Sequence, residues 1–142
     1  MSKPRNKFSY KRRLQFYETD GMGIIHHANY LLLLEEARLQ FLREVYAEKE
    51  DQTLLDETNY PLVSCHVDYK KPLHFNEEVT IEFNVSVEGV RLIFDYHFIT
   101  KSFENPVAFG KTVHVAFDMK KQRAVRLPKR LIEFLKVPAS LG

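Results

Sequence analysis

Tyr17-Glu18-Thr19-Asp20-Gly21-Met22-Gly23-Ile24-Ile25-His26-His27-Ala28-Asn29-Tyr30 runs directly into Leu31-Leu32-Leu33-Leu34-Glu35-Glu36-Ala37-Arg38, and this stretch decides the fold. Before it, Phe8 to Phe16 alternates apolar and polar residues as a strand does. Thr19 to Gly23 is a turn, with two glycines to bend the backbone. From Ala28 to about Glu48 the period becomes helical, with Leu31, Leu34, Arg38, Leu42 and Val45 on one face. Leu32, Leu33 and Phe41 widen that face so far that the first half of the helix is expected to be buried on nearly every side. Asp20 thereby falls beside a helix start, where backbone N–H groups lack helical partners.

After a polar connection from Asp51 to Pro61, everything has strand character. Val63 to Leu73, Val79 to Val87, Arg91 to Phe103 and Val107 to Met119 are four candidates, separated by Gly89 and by Asn105-Pro106. Pro128 opens a short terminal helix. One helix followed by successive strands implies an α+β architecture, an antiparallel sheet curled around the helix. Such a sheet leaves an edge strand and an apolar flank open, and a second copy of the chain is expected to cover them.

The 142 residues suit a single domain spanning the whole chain, with residues 1–7 as a loose arm. Hydrophobic residues are 44% and charged residues 28%, ordinary values for a globular protein. Eleven Phe and seven Tyr favour a pleated surface. A formal charge of +2 argues against nucleic acid as a partner drawn by bulk field. Cys65 has no second cysteine to pair with and reads as a small buried hydrophobe on a strand. The basic N-terminus lacks an apolar core, and no apolar run approaches the ~20 residues of a membrane span. A cytoplasmic location is expected.

A carboxylate facing free amide donors can activate water, or attack directly, while the donors hold an oxyanion. Asp20 and the backbone N–H of His27, or of a neighbour between Ile25 and Asn29, supply those parts. The chemistry suggested is acyl transfer to water. Asn29 suits a helix cap, and Tyr30 suits packing with its hydroxyl satisfied. Glu35, on an apolar helix, needs a partner or a cavity; Arg38, three residues on, is the simplest partner. The six histidines and one cysteine show no zinc spacing, so no metal site is expected. Lys70, Lys71, Arg91 and Lys111 are basic residues on or near strands that could meet a phosphate.

The pattern Thr19-Asp20-x-x-Gly23-x-x-x-His27-x-x-Tyr30-x-x-x-x-Glu35-x-x-Arg38 resembles the hotdog-fold acyl-CoA thioesterases. The nearest branch is the 4-hydroxybenzoyl-CoA thioesterase-like group, which includes small bacterial thioesterases encoded with the Tol–Pal envelope system. Val67-Asp68-Tyr69-Lys70-Lys71-Pro72-Leu73, Val115-Ala116-Phe117-Asp118 and Arg126-Leu127-Pro128 continue the likeness, which covers about Tyr10 to Leu135. The resemblance implies an antiparallel sheet wrapped around one long helix, with subunits joined edge to edge into dimers or tetramers. It also implies hydrolysis of acyl-CoA, or of acyl carrier protein thioesters, with coenzyme A as part of the substrate and no separate cofactor. By the same resemblance Asp20 and His27 are the catalytic residues. Gly23, Asn29, Tyr30 and Glu35 are then substrate-binding candidates, with Glu35 facing the acyl pocket across the dimer. Two rivals stand beside this reading. One is a dehydratase or hydratase of the same fold, whose His-Phe-Pro-like segment is missing here. The other is a non-catalytic acyl-thioester or acyl-carrier binding module.

Overall fold

The alternation of Val79, Ile81, Phe83 and Val85 becomes a strand whose apolar side is buried and whose other side faces out. It lies within an antiparallel sheet in a computed structural model that describes residues 7–47 and 60–136. The elements in chain order are β1 (Lys7–Arg13), a single 3-10 turn (Phe16–Glu18), α1 (Asn29–Val45), β2 (Leu62–Tyr69), β3 (Glu78–Glu88), β4 (Arg91–Ile99), β5 (Ala108–Asp118), β6 (Arg123–Val125) and α2 (Lys129–Lys136). The strand order is β1-β3-β4-β5-β2, with β6 paired to β5. In register, Phe83 sits opposite Tyr96 on β4, and Tyr96 opposite Gly110 on β5.

This one face of the sheet holds the core. Leu33, Leu34, Ala37, Phe41 and Val45 of α1 are buried against it, together with Leu92, Phe94, Tyr96 and Phe98 of β4. The helix comes so close to β5 that a Cβ on Gly110 would meet Leu34 and Tyr96 at 3.3 Å. Phe41 meets Phe8, Phe94 and Phe134 edge-on, so it ties α1 to β1, β4 and α2. Cutting such a ring back to alanine costs about 3–5 kcal/mol.

Several sequence expectations need correction. The helix is not wrapped on nearly every side: Leu31 is 46% and Leu32 53% exposed. The sheet covers only the stripe through Leu33, Leu34, Ala37 and Phe41. Cys65 is exposed, because it lies on β2, the outermost strand, where nearly every residue is open to solvent. Lys7 already belongs to β1 and not to an arm. Strand β1 ends at Arg13, short of Phe16, because the chain then enters the 3-10 turn that begins at Phe16. Strand β2 ends at Tyr69, short of Leu73, because the Lys70 and Lys71 amides both turn onto the Val107 carbonyl at 2.9 and 3.0 Å. The helix expected through about Glu48 ends at Val45, where the Tyr46 amide closes the last turn onto the Leu42 carbonyl; Glu48 itself, and most of the connection from Asp51 to Pro61, fall outside the described residues.

Candidate active site

The turn after β1 is held from both sides by Glu18, a residue the sequence reading passed over. Its side chain is buried, and Arg12 Nη1 donates to Oε2 at 2.7 Å while the Gln15 amide donates to Oε1 at 2.8 Å. Arg12 Nε also meets Glu36 of α1 at 3.1 Å, and the Tyr10 hydroxyl donates to the same Glu36 oxygen at 2.7 Å. Burial, then the bond and charge of Glu36, push the Tyr10 phenol up to about 12. The Glu18 carbonyl receives the His26 amide at 2.9 Å and Asn29 Nδ2 at 2.7 Å. One acidic residue thus joins β1, the turn and the first turn of α1. The available signal was a lone acid between Tyr17 and Thr19, which composition alone could not separate from a surface residue.

Asp20 sits just beyond this clamp on a small hairpin. Thr19 bridges Ile25, and the Asp20 amide donates to the Ile24 carbonyl at 2.9 Å. Gly21 and Gly23 have φ of +94° and +82°, which explains glycine at both places. Their Cβ positions meet no atom within 4 Å, so the dihedral is what the fold requires. The return arm is pinned to the segment after β2: the Ile25 amide donates to the Leu73 carbonyl at 2.8 Å, and the Phe75 amide to the Gly23 carbonyl at 2.8 Å. The Asp20 side chain is exposed, and its Oδ1 accepts from the Met22 amide at 2.9 Å. Among the described residues Oδ2 has no partner.

The amides at the start of α1 are mostly spoken for. His26 Nδ1 takes the Ala28 amide at 3.1 Å; the Asn29, Tyr30 and Leu31 amides go to the carbonyls of His26, His27 and Ala28 at 2.9, 3.2 and 3.3 Å. The His27 N–H has no acceptor among the described residues. The His27 carbonyl also receives the Tyr69 hydroxyl at 3.2 Å, which fastens the end of β2 to the helix start. The two histidine rings stack, with centroids 4.3 Å apart.

Beside His27 lies an open cleft of about 310 Å³, lined by Ile24, Ile25, His27, Tyr30, Tyr69, Lys70, Lys71 and Pro72. Tyr30 is buried at its floor, packed on Tyr69 and Phe98 at 4.8 and 5.3 Å, and burial raises its phenol above the usual range. Lys70 and Lys71 bring two positive charges to its lining. The sequence candidates therefore divide. His27 and Tyr30 share the cleft; Asp20 and Gly23 belong to the adjoining hairpin; Asn29 neither caps the helix nor enters the cleft but spends its amide on Glu18. Glu35 stands apart, on a second cavity near the start of β2. Its expected ion pair with Arg38 does not form among the described residues; Arg38 donates to the Tyr96 hydroxyl at 3.2 Å. No helix among the described residues is long and apolar enough to cross a membrane.

A model of the thioesterase-like superfamily matches residues 14–135 of the chain. A relative from Aquifex aeolicus is 36% identical over 132 residues, covering 91% of this chain and 98% of its own length. The acyl-CoA thioesterase YbgC of Haemophilus influenzae is 31% identical over 131 residues, 89% of this chain and 92% of that one. Among solved structures, a protein from Aquifex aeolicus superposes with a TM-score of 0.77 at 32% identity, covering 91% of this chain and 99% of its own.

Proposed function

We propose, from the premise that this chain belongs to the thioesterase-like superfamily and has its hotdog fold, that it is a thioester hydrolase acting on acyl-CoA. The observation that carries the reading is the unpaired His27 amide at the head of α1, one short hairpin from the free carboxylate oxygen of Asp20. In this reading the thioester carbonyl accepts from the His27 N–H. In one route Asp20 removes a proton from water as that water adds to the carbonyl carbon, and the adduct collapses with cleavage of the C–S bond, the thiolate leaving with the proton. In the other Asp20 itself adds to the carbon, the C–S bond breaks to expel the thiolate and leave an acyl-aspartyl anhydride, and water then hydrolyses that anhydride to free Asp20 and the acid, its proton going to the thiolate. The amide and the helix dipole stabilise the oxyanion, a contribution of about 3 kcal/mol per donor in acyl-transfer sites. Coenzyme A is part of the substrate; Lys70 and Lys71 at the cleft rim suit its phosphates.

The active unit in this reading is a dimer. Strand β2 has one open edge, and its inward side chains, with Leu31 and Leu32, form an uncovered apolar surface. Pairing β2 with its copy across a two-fold axis closes the edge. Antiparallel pairing sets the Tyr69 end of one β2, with its His27 cleft, beside the Leu62 end of the other. Glu35 then belongs to the partner's share of the site. A cytoplasmic location and acyl carrier protein as a second carrier follow from the same reading.

The test is free-thiol release from a panel of acyl-CoAs and one acyl carrier protein thioester, with wild type beside Asp20→Asn. Turnover by wild type that disappears in the variant supports the reading. Tight binding without turnover of any thioester leaves a binding module instead. Hydration of enoyl thioesters with saturated ones untouched leaves a hydratase.

A further inference from the structure

We infer that Glu18 is a positioning residue of the hydrolytic site: its buried carboxylate, held by Arg12, keeps the His27 amide at a fixed place relative to Asp20. The inference rests on the thioesterase reading above. Glu18 does not line the cleft, so it acts through the backbone. Both reacting groups are tied to it. Asp20 follows Glu18 by two positions in the chain. On the other side, the two lone pairs of the Glu18 carbonyl go to the His26 amide at 2.9 Å and to Asn29 Nδ2 at 2.7 Å. His26 and Asn29 stand on either side of His27, so the segment that carries the unpaired donor hangs from Glu18 at both ends. Any displacement of Glu18 changes the distance between the carboxylate of Asp20 and that donor.

The side chain fixes Glu18 in its turn. It is only 4% exposed, with Oε2 accepting from Arg12 Nη1 at 2.7 Å and Oε1 from the Gln15 amide at 2.8 Å. The Gln15 bond alone would close the 3-10 turn. Arg12 does more, because the same guanidinium reaches Glu36 of α1 through Nε at 3.1 Å and the Tyr17 hydroxyl through Nη2 at 3.3 Å. Tyr10, on β1, donates to the same Glu36 oxygen. One planar cation therefore locks the turn before Asp20 to β1 and to the helix that follows His27. Stability does not call for such an arrangement, since apolar side chains of like volume often replace a buried ion pair at no loss. What the charge-assisted fork adds is direction. Bond-making reactions are sensitive to direction: a reacting group displaced by about 1 Å can lose about a hundredfold in rate.

The experiment measures steady-state thiol release and the thermal midpoint on the same samples of wild type, Glu18→Gln, Arg12→Ala and the double variant. Glu18→Gln keeps an acceptor for the Gln15 amide but turns an NH2 group toward the Arg12 guanidinium. It should lower kcat about tenfold and leave KM within about twofold, because ground-state binding does not use the placing of Asp20 against the oxyanion donor. The double variant separates positioning from mere support. It removes the unpaired buried charge that Arg12→Ala leaves behind, so its midpoint should rise above that of Arg12→Ala. Its kcat should stay as low as in Arg12→Ala, since no directed contact has returned. A kcat that recovers in step with the midpoint, or one unchanged in Glu18→Gln, overturns the inference. Should Glu18→Gln not fold, Arg12→Lys decides. Lysine keeps a cation beside Glu18 but loses the fork to Glu36 and Tyr17, so kcat should fall about threefold at unchanged KM; full turnover there overturns the inference as well. If the wild type releases no thiol from any thioester, the thioesterase reading has failed and this inference falls with it. Turnover by the wild type beside unaffected variants removes the inference alone.

Discussion

Asn29 Nδ2 donates to the Glu18 carbonyl at 2.7 Å, so the first residue of α1 holds the turn that precedes Asp20. The same carbonyl takes the His26 amide at 2.9 Å. The loop and the helix start therefore move as one piece. Asn29→Ala should leave the fold intact, at a cost near 1 kcal/mol for one hydrogen bond. It should also lower kcat about tenfold with little change in KM, because a misplaced Asp20 harms the reacting geometry more than ground-state binding. A kcat equal to wild type in steady-state thiol release would mean that the tie serves stability alone.

Asp20→Asn removes the charge while keeping an Oδ1 that can accept from the Met22 amide, the one bond the carboxylate makes within the turn. The hairpin should survive, with stability within about 0.5 kcal/mol of wild type. Hydrolysis should fall by about a thousandfold or more, since neither water activation nor direct attack remains. Thermal unfolding and thiol release on one sample check both halves together.

Arg12 offers the sharpest stability test. Its guanidinium meets Glu18 at 2.7 Å and Glu36 at 3.1 Å, with the Glu18 side chain only 5% exposed. Arg12→Ala leaves a buried carboxylate without its cation, a change that costs about 3–5 kcal/mol. Adding Glu18→Gln should recover part of the loss, and a double-mutant cycle in urea measures how much.

β3 and β4 were legible because their inward and outward residues differ so plainly in polarity, whereas β5 was legible only as a strand: its core-facing side carries Gly110, Thr112 and His114, and Phe109, Val115 and Phe117 lie on the other side. The existence of α1 was legible from its 3.6-residue period. What could not be read was which side of the helix the sheet would cover. Leu31 and Leu34 are equally apolar in sequence, yet one is open and the other sealed, and only the strand order decides between them. Cys65 misled for a related reason: alternation marks a strand without saying whether it sits at the edge. The Asp20 turn and the helix start were visible as residue types, but the clamp through Glu18 was not. A buried acid declares itself only once Arg12, six residues away along the chain, has folded back onto it.

His114 predicts a pH dependence of stability. Burial in the folded chain lowers its pKa from the ordinary 6.5 to about 4. The unfolded chain therefore binds more protons between those values, and stability rises with pH across that window. The contribution is fully present above about pH 6.5 and is lost as pH falls toward 4. Thermal midpoints measured from pH 7 to pH 4 should drop less steeply for His114→Gln than for wild type. Parallel slopes would place the acid sensitivity elsewhere.

Leu31 and Leu32 give the test of the paired sheets. Both are about half exposed on the flank of α1 that the chain's own sheet leaves bare. A charge buried in a core would abolish folding, but here the single chain does not bury these positions. Leu32→Asp should therefore give a folded protein with the far-ultraviolet spectrum of wild type. If a second copy covers this flank, the new carboxylate has no partner at the interface, and light scattering should report a monomer where wild type is a dimer or tetramer. Thiol release should fall with the dimer, since the His27 cleft and the Glu35 cavity would no longer face each other. Recovery of activity at high protein concentration, in step with reassociation, would tie the two effects together. A fully active monomer would show that one chain carries a complete site.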